Sequence, residues 1–198
     1  MAKRGVSNPL ALAVLAHLWE RPMHPYELAS TMRERGKEES IKLNYGSLYT
    51  VVEALERENF IVPQETVREG RRPQRTVYAL TEAGRERLSS WMRALLSRPV
   101  KEYPQFTAGL SLAGVLPPAE VAALLSERAH HLEQEIRTRT FDMEAHMEGG
   151  LPRLFLIEEE HRLVLAKAEL AWVRKLAREI SEGTIDGIER WQSLHNES

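Results

Sequence analysis

The chain has 198 residues, 42% of them hydrophobic and 28% charged, with a formal net charge of -2. That length and balance suit one sizeable core or two small ones and exclude wholesale disorder. Cysteine is absent, which excludes disulfides, thiolate zinc sites and a cysteine nucleophile together.

The charge is unevenly spread. Residues 1–98 hold 16 Lys/Arg against 12 Asp/Glu, whereas residues 99–198 hold 11 against 17. A basic half joined to an acidic half fits a DNA-facing module on a separate assembly or sensing module, with the boundary expected between Arg98 and Pro99. Lys3-Arg4 followed by the apolar run Leu10–Ala16 mimics a short signal peptide. His17, Trp19 and Glu20 interrupt that run, and no small-residue cleavage site follows. No apolar stretch approaches the roughly 20 residues that span a bilayer. The expectation is a cytoplasmic protein without a membrane partner.

In chain order, Asn8-Pro9 reads as an N-cap with proline at the first helical position, opening a mostly apolar, buried helix to about Glu20. Arg21-Pro22-Met23-His24 breaks the chain. Pro25 opens a second helix that stops near Gly36, and Lys37–Leu43 reads as a polar connection. A third helix is expected from Asn44 to about Asn59. In it Leu48, Val51, Val52 and Leu55 recur at i, i+3, i+4 and i+7, so they face a core. Gly46, Thr50 and Glu53 then face outward, with Ser47 and Tyr49 at the flank. Residues 61–67 and 74–80 alternate loosely as two strands. Their connecting turn carries Arg68, Arg71, Arg72 and Arg75 around Gly70 and Pro73. Thr81-Glu82-Ala83-Gly84 starts a capped fourth helix striped by Leu88, Trp91, Met92 and Leu95, which ends before Pro99.

A short helix is expected around residues 106–113. Two long helices follow, Pro118 to about Glu148 and Pro152 to about Ser181, separated by Gly149-Gly150. Val121, Leu125, Leu132 and Ile136 stripe the first. Leu154, Ile157, Leu165, Ala168, Trp172, Leu176 and Ile180 stripe the second. So long an antiparallel pair exposes apolar flank unless a second copy of the chain covers it. The expected fold is mainly α with a small β-hairpin wing: an N-terminal winged helix-turn-helix and a C-terminal domain of antiparallel long helices.

Helix, basic hairpin and new helix, in that order, present one helix to the major groove of DNA. Lys42, Asn44, Tyr45, Ser47, Tyr49 and Thr50 stand at or near the start of that helix, where base edges and phosphates are met. Arg68, Arg71, Arg72 and Arg75 supply the side chain suited to phosphate recognition. The plain alternatives are an edge-of-core tyrosine at 49, a simple N-cap at Asn44 and a solvated turn.

Three motifs carry a resemblance: Pro25-Tyr26-Glu27-Leu28, Gly46-Ser47-Leu48-Tyr49 with Leu55-Glu56, and Tyr78-Ala79-Leu80-Thr81-Glu82-Ala83-Gly84. In order and spacing they resemble the PadR family of winged-helix transcriptional repressors over about residues 8–98. The resemblance implies a repressor bound to double-stranded DNA at a palindromic operator, with Tyr49 touching the backbone or a base edge. The C-terminal half is similar to longer members, whose helical domain makes a homodimer and helps enclose a small aromatic effector. Trp91, His161 and Trp172 are the candidate effector contacts, and neither a cofactor nor an enzymatic activity is implied. The chain departs from the family pattern at Pro25, Thr50 and Glu58-Asn59-Phe60. Asn59 stands where glycine is usual and can adopt the left-handed conformation. Thr50 lies on the groove-facing side, so the operator sequence does not carry over.

Two other readings compete. Glu127-x-x-His130 and Glu158-x-x-His161 have the helical spacing of di-iron carboxylate bundles. If the helices turn near residue 150, however, His161 lies level with about residue 139, and the motifs fall out of step by on the order of 10 Å. The other reading is a DNA-binding protein without an effector, whose dimer core would be filled.

Overall fold

The computed structural model describes residues 8–67 and 75–196. It divides into two compact units, Met1–Lys101 and Glu102–Ser198.

In the first unit, α1 (Pro9–Glu20) is capped by Asn8, whose side chain accepts the Ala11 N–H at 2.8 Å. α2 (Pro25–Glu34) and α3 (Tyr45–Arg57) follow. The polar connection between them holds a 3-10 turn at Lys37–Glu39 after Gly36, which takes a left-handed φ of 64°. Leu10, Val14, Leu15 and Leu18 of α1 pack with Leu28 and Met32 of α2 and with the expected stripe Leu48, Val51, Val52 and Leu55 of α3. Asn59 closes α3 at φ 58°, the left-handed stop foreseen for it.

Strands β1 (Ile61–Val67) and β2 (Arg75–Leu80) pair antiparallel. The break at residues 21–24 contributes an unforeseen third rung, because the N–H and C=O of Tyr78 both bond to Met23 at 3.0 and 3.1 Å. Pro63 stands opposite Tyr78 on the other side. Since the polar groups of Tyr78 turn toward Met23, the N–H that proline lacks removes no ladder bond there. α4 (Glu82–Ser97) starts at a Thr81 cap. Of its expected stripe, Leu88 is buried and Trp91 half-buried against the core, but Met92 and Leu95 are exposed within the described structure.

In the second unit, α5 (Gln105–Ser111) precedes α6 (Pro118–Glu148) and α7 (Ile157–Ser181), an antiparallel pair. α7 starts later than the sequence suggests. Pro152 opens a 3-10 turn, Arg153–Phe155, and the α-helix begins where Glu158, Glu159 and Glu160 meet its positive end. Its buried seam also differs from the expected one. Of the expected stripe, Ile180 is buried and Leu176 half-buried in the seam, whereas Leu154, Ile157, Leu165, Ala168 and Trp172 are exposed; Leu163, Val173 and Ala177, with Leu170 half-buried, take their place. The second unit carries two apolar stripes on α7, and the pairing with α6 uses only one. A further helix, α8 (Ile188–Asn196), was not foreseen; Trp191 ties it down by donating Nε1–H to the Leu116 carbonyl at 2.9 Å. No described helix is long and apolar enough to cross a membrane.

Candidate nucleic-acid interface

α3 is the candidate because one face is fully used by the core. With Leu48 and Leu55 wholly buried, Tyr45, Gly46, Ser47, Tyr49 and Thr50 are left exposed, as are Lys42 and Asn44 just before the helix. Asn44 accepts the Ser47 N–H through Oδ1 at 3.1 Å and so caps α3, a role compatible with a DNA contact. Thr50 donates its hydroxyl to the Gly46 carbonyl at 3.0 Å, leaving its oxygen to act as an acceptor on the outer face. No acidic residue stands in the first turn. The positive end of α3 therefore faces solvent without an anion of its own.

Tyr45 is held from behind. Its ring stacks on Tyr26 of α2, centroids 6.3 Å apart and planes 15° apart. The Arg33 guanidinium lies 4.6 Å from its ring centroid and donates Nη1–H to its hydroxyl oxygen. Arg33 also donates Nε–H to Glu38 at 3.0 Å. These partners, the Tyr45 oxygen first and Glu38 next, hold Arg33 above the ordinary arginine value. Sequence reasoning did not single out Arg33 or Glu38, since a contact spanning 12 residues through a connecting turn leaves no periodic signal.

Of the hairpin arginines, Arg68, Arg71 and Arg72 lie outside the described residues, and Arg75 is placed only as the first backbone position of β2.

The three effector candidates are not gathered in one place within a unit. Trp91 lies in the first unit, packed against its core with the Arg87 guanidinium 4.9 Å from its ring. Trp172 meets Phe106 edge-on at 6.4 Å, and Arg128 covers that phenyl ring at 3.6 Å while donating Nε–H to Glu169 at 2.7 Å. His161 is exposed. It stands three turns before Trp172, roughly 16 Å along α7, too far to share one small ligand. A cleft of about 380 Å³ between α6 and α7 is lined by Ser126, His130, Glu133, Arg174 and Ser181 among others, and neither His161 nor Trp172 borders it.

Ion pairs across the hairpin, Arg139 with Glu159 and Arg128 with Glu169, set His161 level with about residue 136 of α6. The two Glu-x-x-His motifs are thus out of register by about six residues, on the order of 10 Å. Among the described residues no group of three or more His, Asp or Glu is placed to hold a metal ion.

The model of the transcriptional regulator PadR-like family matches residues 14–90. Among solved structures, Bacillus subtilis PadR in complex with operator DNA is similar at a TM-score of 0.67 and 19% identity, over 86% of this chain and 98% of that one. The same protein in complex with p-coumaric acid is similar at 0.68 and 18%, over 87% and 98%. A PadR-like transcriptional regulator from Bacillus cereus is similar at 0.58 and 17%, over 88% and 99%. At these identities the likeness is one of fold. No curated protein matches the chain.

Proposed function

We propose, on the premise that this chain belongs to the PadR-like family of transcriptional regulators, that it is a homodimeric repressor of a palindromic operator, released by a small aromatic effector. The observation that carries the reading is the division of α3: Leu48, Val51, Val52 and Leu55 are committed to the core, and Ser47, Tyr49 and Thr50 are left exposed. A helix so divided, with an uncompensated positive end, suits a major groove. In this reading Lys42, Asn44, Tyr45, Ser47, Tyr49 and Thr50 meet DNA from α3, and Arg68, Arg71, Arg72 and Arg75 hold the flanking backbone. The place of work is the cytoplasm, and no catalytic step is assigned.

Support for the dimer is the second apolar stripe of α7, Ile157, Leu165, Ala168 and Trp172, which pairing with α6 leaves uncovered in the described structure. Support for an effector is indirect: the similar Bacillus subtilis protein has been solved with p-coumaric acid. Trp91 and Trp172 each offer a flat face of the kind such a molecule stacks on, and His161 offers a polar contact at a separate position on α7. An effector need only favour the non-binding arrangement by a few kcal/mol to release DNA.

The test is binding to duplexes enriched by this chain from a random library, against unselected duplex, across a range of salt. Arg71→Ala with Arg72→Ala weakens both duplexes alike and flattens the salt dependence, because phosphate contacts carry no sequence information. Ser47→Ala or Tyr49→Ala instead narrows the gap between the two duplexes. A chain that enriches no duplex overturns the DNA reading altogether.

A further inference from the structure

Tyr45 occupies the first position of α3, yet its ring is drawn back toward α2. Three contacts do this: the stack on Tyr26, the guanidinium of Arg33 beside the ring, and the Arg33 N–H donated to the hydroxyl oxygen. In a helix-turn-helix the first helix crosses the DNA backbone while the second enters the groove. A side chain at the amino end of α3 that is tethered to α2 is drawn toward the helix that crosses the backbone. Tyr45 stays 40% exposed. With its oxygen already accepting from Arg33, the phenol retains its own O–H to give. A cation donating to that oxygen polarises the O–H and strengthens what it donates, as in any hydrogen-bond chain. Arg33 is poorly suited to take the phosphate itself, since Glu38 holds its Nε–H at 3.0 Å and a carboxylate at that distance repels an approaching anion.

We propose that Arg33 and Tyr45 form a relay to one DNA phosphate, in which Arg33 donates to the Tyr45 oxygen and the Tyr45 hydroxyl donates to a phosphate oxygen. Arg33 is a positioning residue here, and Tyr45 is a backbone clamp with no part in sequence reading. The relay rests on the DNA-binding reading above and adds to it a residue, on α2, that touches no DNA.

The experiment is a double-mutant cycle read by fluorescence anisotropy, with the full chain, a duplex enriched on that chain, and an unselected duplex. Tyr45→Phe keeps the stack and removes the hydroxyl. It lowers affinity about three- to tenfold for both duplexes, the effect of one lost hydrogen bond. Arg33→Met produces a loss of similar size, and the double variant loses no more than either single one. The dependence on salt stays as steep as in the natural chain, because a neutral phenol releases no counterion. Arg33→Lys, which keeps a cationic donor, restores most of the affinity. If Arg33→Met melts early, Arg33→Gln takes its place in the cycle. Tyr45→Phe binding as tightly as the natural chain overturns the relay. So do additive losses, or a shallower salt dependence in the Arg33 variant, which place Arg33 on the phosphate itself. A natural chain that binds neither duplex fails the parent reading instead, and the two failures are told apart by that reference measurement.

Discussion

A Cβ placed on Gly84 would stand 2.1 Å from the carbonyl oxygen of Phe60. That carbonyl is not free to retreat, because it accepts the backbone N–H of Thr81 at 3.0 Å, and the Thr81 hydroxyl is shared between it at 3.0 Å and the Asn59 carbonyl at 2.8 Å. Thr81 in turn accepts the Gly84 N–H at 3.0 Å as the cap of α4. The end of α3, the start of β1 and the start of α4 thus meet at one point, where only a residue without a side chain fits.

Gly84→Ala is accordingly expected to destabilise the first unit by about 3 kcal/mol or more, the upper range of overpacking against rigid atoms. Urea unfolding followed by helical circular dichroism measures it. A variant as stable as the natural chain shows that the junction has room to open.

Assembly depends on the outer stripe of α7. Leu165 is 56% exposed and Trp172 46% exposed on the same side of the helix as Ile157. Leu165→Glu leaves the seam with α6 intact, so the helix content is retained, while the dimer weakens by a charge buried without a partner. Sedimentation at micromolar concentration reads both chains. A natural chain that already sediments as a monomer removes the dimer from the proposal.

Acid sensitivity of the second unit is expected to centre on Glu159. Burial pushes its carboxyl up, but the hydrogen bonds and charges of Arg139 and Arg162 outweigh burial and hold it below the ordinary 4.5. A carboxyl lowered by folding contributes its full stabilisation above the unfolded value and loses it as pH falls through the folded one. Stability should therefore decline from about pH 4.5 downward, and Glu159→Gln should remove part of that decline while lowering stability at neutral pH. Urea midpoints across that range decide it; an unchanged pH profile in the variant assigns the acid sensitivity elsewhere.

For the effector, tryptophan fluorescence titrated with p-coumaric acid gives the first measurement. Quenching that disappears in Trp91→Phe, together with loss of ligand-driven release from DNA, places the aromatic contact at Trp91. Trp91 packs against the core of the first unit, so phenylalanine is preferred to alanine to keep that packing. Release of DNA that persists unchanged in the variant removes Trp91 from the site.

What the sequence determined by itself was everything governed by local chemistry and by one period. Asn8-Pro9 announced α1, Thr81 announced α4, and Asn59 announced the left-handed stop of α3, because caps and stops act within a few residues. Leu48, Val51, Val52 and Leu55 announced the buried face of α3, because one helix with one apolar stripe has one way to face a core. On α7 two apolar stripes coexist, and period alone does not say which one meets α6. Tertiary packing chose Leu163, Leu170, Val173 and Ala177 beside the expected Ile180, where small and branched side chains let the helices approach, and left the Leu165–Trp172 side uncovered. The same limit hid the bridge between Met23 and Tyr78 and the hold of Arg33 on Tyr45. Each joins residues distant in sequence through backbone or side-chain geometry, which exists only once the chain has folded.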